Sequence, residues 1–281
     1  MDHTLEIQNI LDSGSDITLP PATFYVSNLI IRNNAKLKGS GAYQTIFKAS
    51  EPNLPIIIHD NAIGSSISNI GFQANNLSNN IAIDFSSSLG ASLSEIAMID
   101  GKGTFNSFIY MSAFNGCYRN HINKLYVQRL LNGPKNVVKC KSATGDYKGN
   151  PNANLITNFV IYSVRGIENV FDLADSTLFT IEHGLLEAIP DAIALIPGQQ
   201  TIVRDIWFEG FKQLIDIKLS TLSPNDVSIY DCYFSGANNI EIPQSLQRWR
   251  FHGNAGNLII KYGHNGPSWN IKNDVASIIV E

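Results

Sequence analysis

From Val203 to Gly210, Val-Arg-Asp-Ile-Trp-Phe-Glu-Gly, small apolar residues recur at one phase, aromatic and acidic ones at the opposite phase, and a glycine closes the unit. Twenty-six residues later, Ile229 to Gly236 (Ile-Tyr-Asp-Cys-Tyr-Phe-Ser-Gly) repeats the pattern. Asp205 aligns with Asp231, Ile206 with Cys232, Trp207 with Tyr233, Phe208 with Phe234 and Gly210 with Gly236. A period of two marks extended strands, and its return after twenty-odd residues marks strands stacked one per coil of a solenoid.

The repeat can be followed by its central anchor. Ile70, Ile96, Leu125, Phe159, Gly184, Ile206 and Cys232 are separated by 26, 29, 34, 25, 22 and 26 residues. Such drift is expected when strands keep register while the turns between them vary. Second strands are expected between the anchors, at 81–85, 108–111, 137–139, 170–173, 192–196, 214–217 and 240–242. Asn132 to Asn154, rich in Gly, Pro, Asn and Lys, is expected to be a surface excursion on the scaffold. At the start, apolar residues at 5, 7, 10 and 11 before Asp-Ser-Gly predict a short helix or arm within 1–18. Its expected task is to cap an edge that would otherwise invite strand pairing. Residues 19–281 form the expected solenoid. Its coils shorten after about residue 236, because Trp249 and Trp269 stand only 20 apart.

Composition sharpens this picture. Ile and Asn are both frequent; Ile suits half-buried strands, and Asn suits left-handed bends and side-chain ladders between stacked copies. A net charge of −4 argues against nucleic acid as the main partner. Cys117, Cys140 and Cys232 are odd in number and lack metal-ligand spacing, so free thiols are expected, with Cys232 facing inward. No apolar run approaches the ~20 residues of a membrane-spanning helix, so membrane insertion is not expected. Met-Asp-His-Thr-Leu-Glu carries no basic end before an apolar run, and no signal peptide is expected.

The segment from Leu19, Leu-Pro-Pro-Ala-Thr-Phe-Tyr-Val, leads into strands near 24–26, 29–31 and 36–38, then Leu-Lys-Gly-Ser-Gly and Thr-Ile-Phe. This order resembles the first coils of the pectate-lyase-like right-handed parallel β-helix, and above all its bacteriophage tailspike and capsule-depolymerase versions. The likeness extends over roughly residues 15 to 281. It implies an all-β fold, a single-stranded right-handed parallel β-helix, and side-by-side assembly as a homotrimer on a virion tail. It also implies action on bacterial surface polysaccharide, capsule or O-antigen. A fold of this kind hosts more than one reaction, so the chemistry rests on the residues.

Anchors facing inward fix the outward set. One outward column reads Asn69, Glu95, Lys124, Asn158, His183, Asp205, Asp231; the next Gly71, Ala97, Tyr126, Val160, Leu185, Trp207, Tyr233; the third Gln73, Ile99, Gln128, Tyr162, Glu187, Glu209, Ser235. Carboxylates therefore flank an aromatic strip in the later coils. Flat rings pack on the C–H face of a pyranose, and glycoside hydrolysis needs two carboxyl groups, about 5–5.5 Å apart for retention and about 6.5–9.5 Å for inversion. Glu209 and Glu187 are the leading catalytic candidates, followed by Asp205 with His183. Trp207, Tyr233, Tyr162 and Asp231 are candidates for holding substrate, with no metal or cofactor expected. Against each stands the plainer role of a solvated strand residue, and for Trp207 that of a subunit contact. Lys124 over Glu95 is expected to be an ion pair of small worth. The alternatives on the same scaffold are a polysaccharide lyase acting on a uronate-containing glycan, which the lysine-poor columns disfavour, and a non-catalytic glycan-binding module.

Overall fold

A strand with one apolar face and unpaired edges needs neighbours above, below and behind it. Parallel stacking of successive coils supplies all three. The computed structural model describes residues 2–75, 80–113, 116–143, 149–218, 223–263, 268–272 and 278–280. They form a right-handed parallel β-solenoid of about eight turns with one short helix in front. The tip of the expected excursion, residues 144–148, lies outside the described residues.

Register is kept through the anchors. Ile96 pairs with Ile70 below and Leu125 above, Phe159 with Gly184, and Gly184 with Ile206. Trp207 pairs with Tyr233, which sets Ile206 beneath Cys232. The core behind them is one continuous apolar cluster. Phenylalanines stack within it from coil to coil: Phe47 to Phe72 to Phe108 edge-on at 6.0 Å, and Phe208 over Phe234 at 5.2 Å and 9°. Cys232 is buried among these side chains, and all three cysteines are free.

The first outward column departs from a flat strand. Asn69, Glu95, Lys124, Asn158, His183, Asp205 and Asp231 all adopt left-handed backbone, with φ between 51° and 58°. Each is a corner that bends the strand path at a single residue. Five positions further on, Arg129, Ser163, Ala188, Gly210 and Gly236 form a second column of left-handed corners; five positions earlier, Gly64, Gly90, Arg119, Ala153, Leu178, Gln200 and Asp226 form a third. The outline of a coil therefore has flat edges of four residues between single-residue bends. Strict alternation fails at a corner: Arg204 and Asp205 both face out between buried Val203 and Ile206.

Backbone groups freed at the bends are taken up by buried asparagines. Asn120 Nδ2 donates to Asn154 Oδ1 at 3.0 Å, Asn120 Oδ1 accepts from the Ala91 N–H at 3.0 Å, and Asn254 Oδ1 accepts from the Cys232 N–H at 2.9 Å. Each ladder asparagine thus satisfies a peptide group that would otherwise be buried without a partner.

Both ends of the stack are closed. The helix Thr4–Asp12 buries Ile7 and Leu11, one turn apart, and leaves Leu5 and Ile10 exposed. Gln8 acts as a substitute strand, its side-chain amide accepting from the Ile30 N–H at 2.8 Å and donating to the Ile30 carbonyl at 3.1 Å. At the far end the expected parallel stacking stops. Ser268–Lys272 pairs antiparallel with Ala255–Tyr262, and Ile278–Val280 antiparallel with Trp249–His252. The 20-residue interval between Trp249 and Trp269 is therefore a return along the last coil, not a smaller coil. Antiparallel strands cover an edge that further coils would leave open.

Two positions make the packing testable. A Cβ on Gly184 would lie 2.1 Å from the Phe159 ring of the coil below. Gly184→Ala is expected to destabilise the fold by about 1–3 kcal/mol or more, with partial recovery in Gly184→Ala/Phe159→Leu; equal melting temperatures for wild type and the single variant would refute the contact. His59 is fully buried against Phe85, with ring centroids 4.1 Å apart and no hydrogen-bond partner for Nε2 among the described residues. Burial pushes its pKa down from 6.5 to about 4. Below pH 6.5 the unfolded chain takes up a proton that the folded chain refuses, so stability is full above that pH and declines as pH falls towards 4. The loss amounts to about 3 kcal/mol. Denaturant melts from pH 7 to 4.5 should show a shallower decline in His59→Phe than in wild type, and parallel declines would clear His59 of the effect.

Candidate functional site

The edge between the first and second corner columns carries the aromatic strip. In the coil of Gln199–Ile215, Ile206 and Phe208 point into the core, and Trp207 and Glu209 point out. Trp207 pairs with Leu185 below and Tyr233 above. Its indole stacks on the Tyr233 ring at 4.2 Å and 27°, and 42% of Trp207 and 37% of Tyr233 remain exposed. Two large rings kept in contact with solvent on one flat edge form a platform for a planar or C–H-rich ligand face.

The third column is also in register: Gln128 with Tyr162, Tyr162 with Glu187, Glu187 with Glu209, and Glu209 with Ser235. Glu187 and Glu209 are half-buried neighbours one coil apart, a spacing of about 4.8 Å along the stack. Trp207 Nε1–H donates to Glu209 Oε2 at 2.9 Å, so the platform and one carboxylate are held as a unit.

Asp205 and His183 sit apart from this pair, on the corner column. His183 Nδ1 lies 2.7 Å from Asp205 Oδ2, and its Nε2 lies 3.7 Å from Glu182 Oε1. Glu182 in turn binds Arg204 of the next coil. The four sequence candidates thus divide into an edge pair, Glu187–Glu209, and a cross-coil charge network at the bend. Asp231 continues the corner column and joins neither group. Lys124 and Glu95 form an ion pair at 2.8 Å, with both side chains nearly half exposed. Among the described residues no three His, Cys, Asp or Glu side chains converge as metal ligands.

Glu182 and Arg204 were not among the candidates, because strict alternation turns position 204 inward; the tendency of Asp205 and Asp231 to occupy left-handed bends is the signal that would have moved it outward. Also missed was a groove of about 880 Å³ past the Gly210–Gly236 corner, lined by Phe211, Gln213, Asp216, Asn238, Glu241 and Gln244 among others. Its amide and carboxylate side chains continue the polar surface beyond Glu209.

No family profile and no curated protein sequence matches the chain. Solved structures do. ORF18 of Geobacillus virus E2 superposes with a TM-score of 0.59 at 17% identity, over 94% of this chain and 55% of the viral protein. The likeness is one of fold. The chain spans about half the length of that viral protein. The A-module of the mannuronan C-5 epimerase AlgE6 from Azotobacter vinelandii superposes with a TM-score of 0.50 at 11% identity, over 95% of this chain and 93% of the module. The tailspike gp49 of Acinetobacter baumannii bacteriophage Fri1, a capsular polysaccharide depolymerase, gives 0.49 at 9% identity, over 100% of this chain and 62% of the tailspike. The viral ORF18 protein and the epimerase module thus share the parallel solenoid with this chain. No helix among the described residues is long and apolar enough to cross a membrane.

Proposed function

We propose that the protein is a tailspike-type depolymerase, an endo-glycosidase that hydrolyses a bacterial surface polysaccharide at the Glu187–Glu209 pair. The observation that carries this is the Trp207–Tyr233 stack bonded through the indole N–H to Glu209, with Glu187 in register one coil below. A glycan laid along the solenoid axis crosses one coil about every 4.8 Å, close to the length of a sugar unit, so rings on the platform bring a glycosidic oxygen past the two carboxyl groups.

The indole N–H holds Glu209 Oε2 as a hydrogen-bond acceptor beside the platform, which supports Glu209 in the nucleophile or base role. Glu187 then supplies the proton to the leaving oxygen. The one-coil spacing favours retention of configuration. The His183–Asp205 pair belongs to positioning: with Glu182 and Arg204 it cross-links the coils that hold the two glutamates. By extension from the phage resemblance, the chain works as a homotrimer on a virion tail. The same platform also suits a glycan-binding module that does not cut, because one of its carboxylates is held by Trp207.

Incubation with bacterial capsular polysaccharides separates these readings. New reducing ends without ultraviolet absorbance from unsaturated uronate mean hydrolysis; absorbance means a lyase; retention without cleavage means binding alone. Glu209→Gln is expected to lower the cleavage rate by a factor of about 10²–10⁴ while binding and melting temperature stay near wild type; a fully active variant would remove Glu209 from the mechanism. Trp207→Ala is expected to weaken glycan retention about tenfold, read by affinity electrophoresis. If retention is unchanged and light scattering shows the oligomer dissociating, Trp207 is a subunit contact instead.

A further inference from the structure

Seven arginines occur in the chain: Arg32, Arg119, Arg129, Arg165, Arg204, Arg248 and Arg250. Arg32 is paired with Asp12, Arg204 with Glu182, and Arg248 and Arg250 with Asp226. The guanidinium groups of Arg119, Arg129 and Arg165 have no acidic or hydrogen-bond partner among the described residues. Two of these three converge. Arg129 and Arg165 line a notch of about 530 Å³ with Leu131, Ser163 and Pro190, floored by buried Leu130 and Val164.

The notch adjoins the candidate site. Arg129, Ser163 and Ala188 are the second-column corners that directly follow Gln128, Tyr162 and Glu187. Leu130 and Val164 are in register, which sets Arg129 and Arg165 on adjacent coils. Both guanidinium groups are exposed, yet neither pairs with Glu187, one residue before the bend. The chain as a whole is acidic, at −4, and its outward columns hold mainly carboxylates in the later coils. Two unneutralised guanidinium groups over an apolar floor are a local reversal of that charge. The planar fork of arginine matches a carboxylate through two parallel N–H donors, and a low-dielectric floor strengthens the bond.

We infer that the Arg129–Arg165 notch receives the carboxylate of an acidic sugar, so that the polymer held on the Trp207–Tyr233 platform is an acidic polysaccharide with a uronate or equivalent unit beside the Glu187–Glu209 pair. This rests on the glycan reading above and adds to it the charge of the substrate and the side from which that charge is recognised. Tyr162 and Glu187 lie on the coils that carry the notch, so the acidic unit occupies the position next to the bond presented to the glutamates. Leu131, 72% exposed at the rim, offers an apolar contact to the same unit.

The test uses the full chain and immobilised bacterial polysaccharides, acidic and neutral, with each acidic one also supplied after chemical reduction of its carboxyl groups to alcohols. Wild type is expected to bind an acidic polymer and to lose about ten- to a hundredfold in affinity for its carboxyl-reduced form. Arg129→Gln/Arg165→Gln is expected to lose as much against the native polymer and little more against the reduced one. Arg129→Lys/Arg165→Lys, which keeps the charge and removes the fork, should fall between. Arg119→Gln removes one unpaired charge on a different corner and should bind as wild type. Binding confined to neutral polymers, or an Arg129→Gln/Arg165→Gln variant indistinguishable from wild type, overturns the notch and leaves the glycan reading standing. A polymer retained equally before and after carboxyl reduction does the same. Retention of no polysaccharide by folded wild-type protein overturns both.

Discussion

Everything in this molecule depends on one backbone constraint: a coil must turn within a single residue without breaking the parallel ladder. A left-handed residue achieves this, at a cost of about 1–2 kcal/mol where the residue is not glycine. The cost recurs at Asn69, Glu95, Lys124, Asn158, His183, Asp205 and Asp231. It is offset on either side, since each four-residue edge turns two positions inward, most of them apolar, and each buried Ile, Val or Phe contributes about 1.5–3 kcal/mol. The Asn120–Asn154 ladder then binds peptide groups at the bends, so that turning the chain leaves little unsatisfied inside.

The same constraint builds the candidate site. Corners hold side chains outward and apart, and flat edges hold them in files. Trp207 meets Tyr233, and Glu187 meets Glu209, because the edge after Asp205 and its equivalents above and below have the same length. Pairing shifts register past these edges, between Ile189 and Ile193 in the coil of Glu187 and between Phe234 and Asn238 in the strand Tyr233–Ile242. The large groove lined by Asn238 and Glu241 opens at the second of these places. Charge follows the same geography. Ion pairs gather at the bends, as in His183–Asp205 and Lys124–Glu95, while the Trp207–Glu209 edge keeps its carboxylates beside aromatic rings.

Much of this was legible in the sequence. The anchors Ile70 to Cys232 fall on one register, and the second and third columns pair coil to coil, because alternation within an edge is a direct consequence of strand geometry; Gly71 and Ala97, expected outward, are buried, and the first column lies on corners. Expectation failed where geometry is not periodic. A left-handed residue inserts one position into the alternation, so Arg204 and Glu182 moved outward, and nothing in a period of two reveals that. The reversal of direction after Tyr262 was hidden for a related reason: Trp269-Asn-Ile-Lys has the same apolar spacing whether its neighbour runs parallel or antiparallel. The clustering of Arg129 and Arg165 was invisible because they are separated by a loop of uneven length, and only the coil count brings them side by side.

Seven corners share one backbone state yet carry Asn, Glu, Lys, Asn, His, Asp and Asp. The bend therefore accepts amide, acid, base or imidazole with the core behind it unchanged. Surface chemistry can be rewritten rung by rung while the interior stays fixed, so new ligands can be met by substitution at the bends, with no new fold to invent.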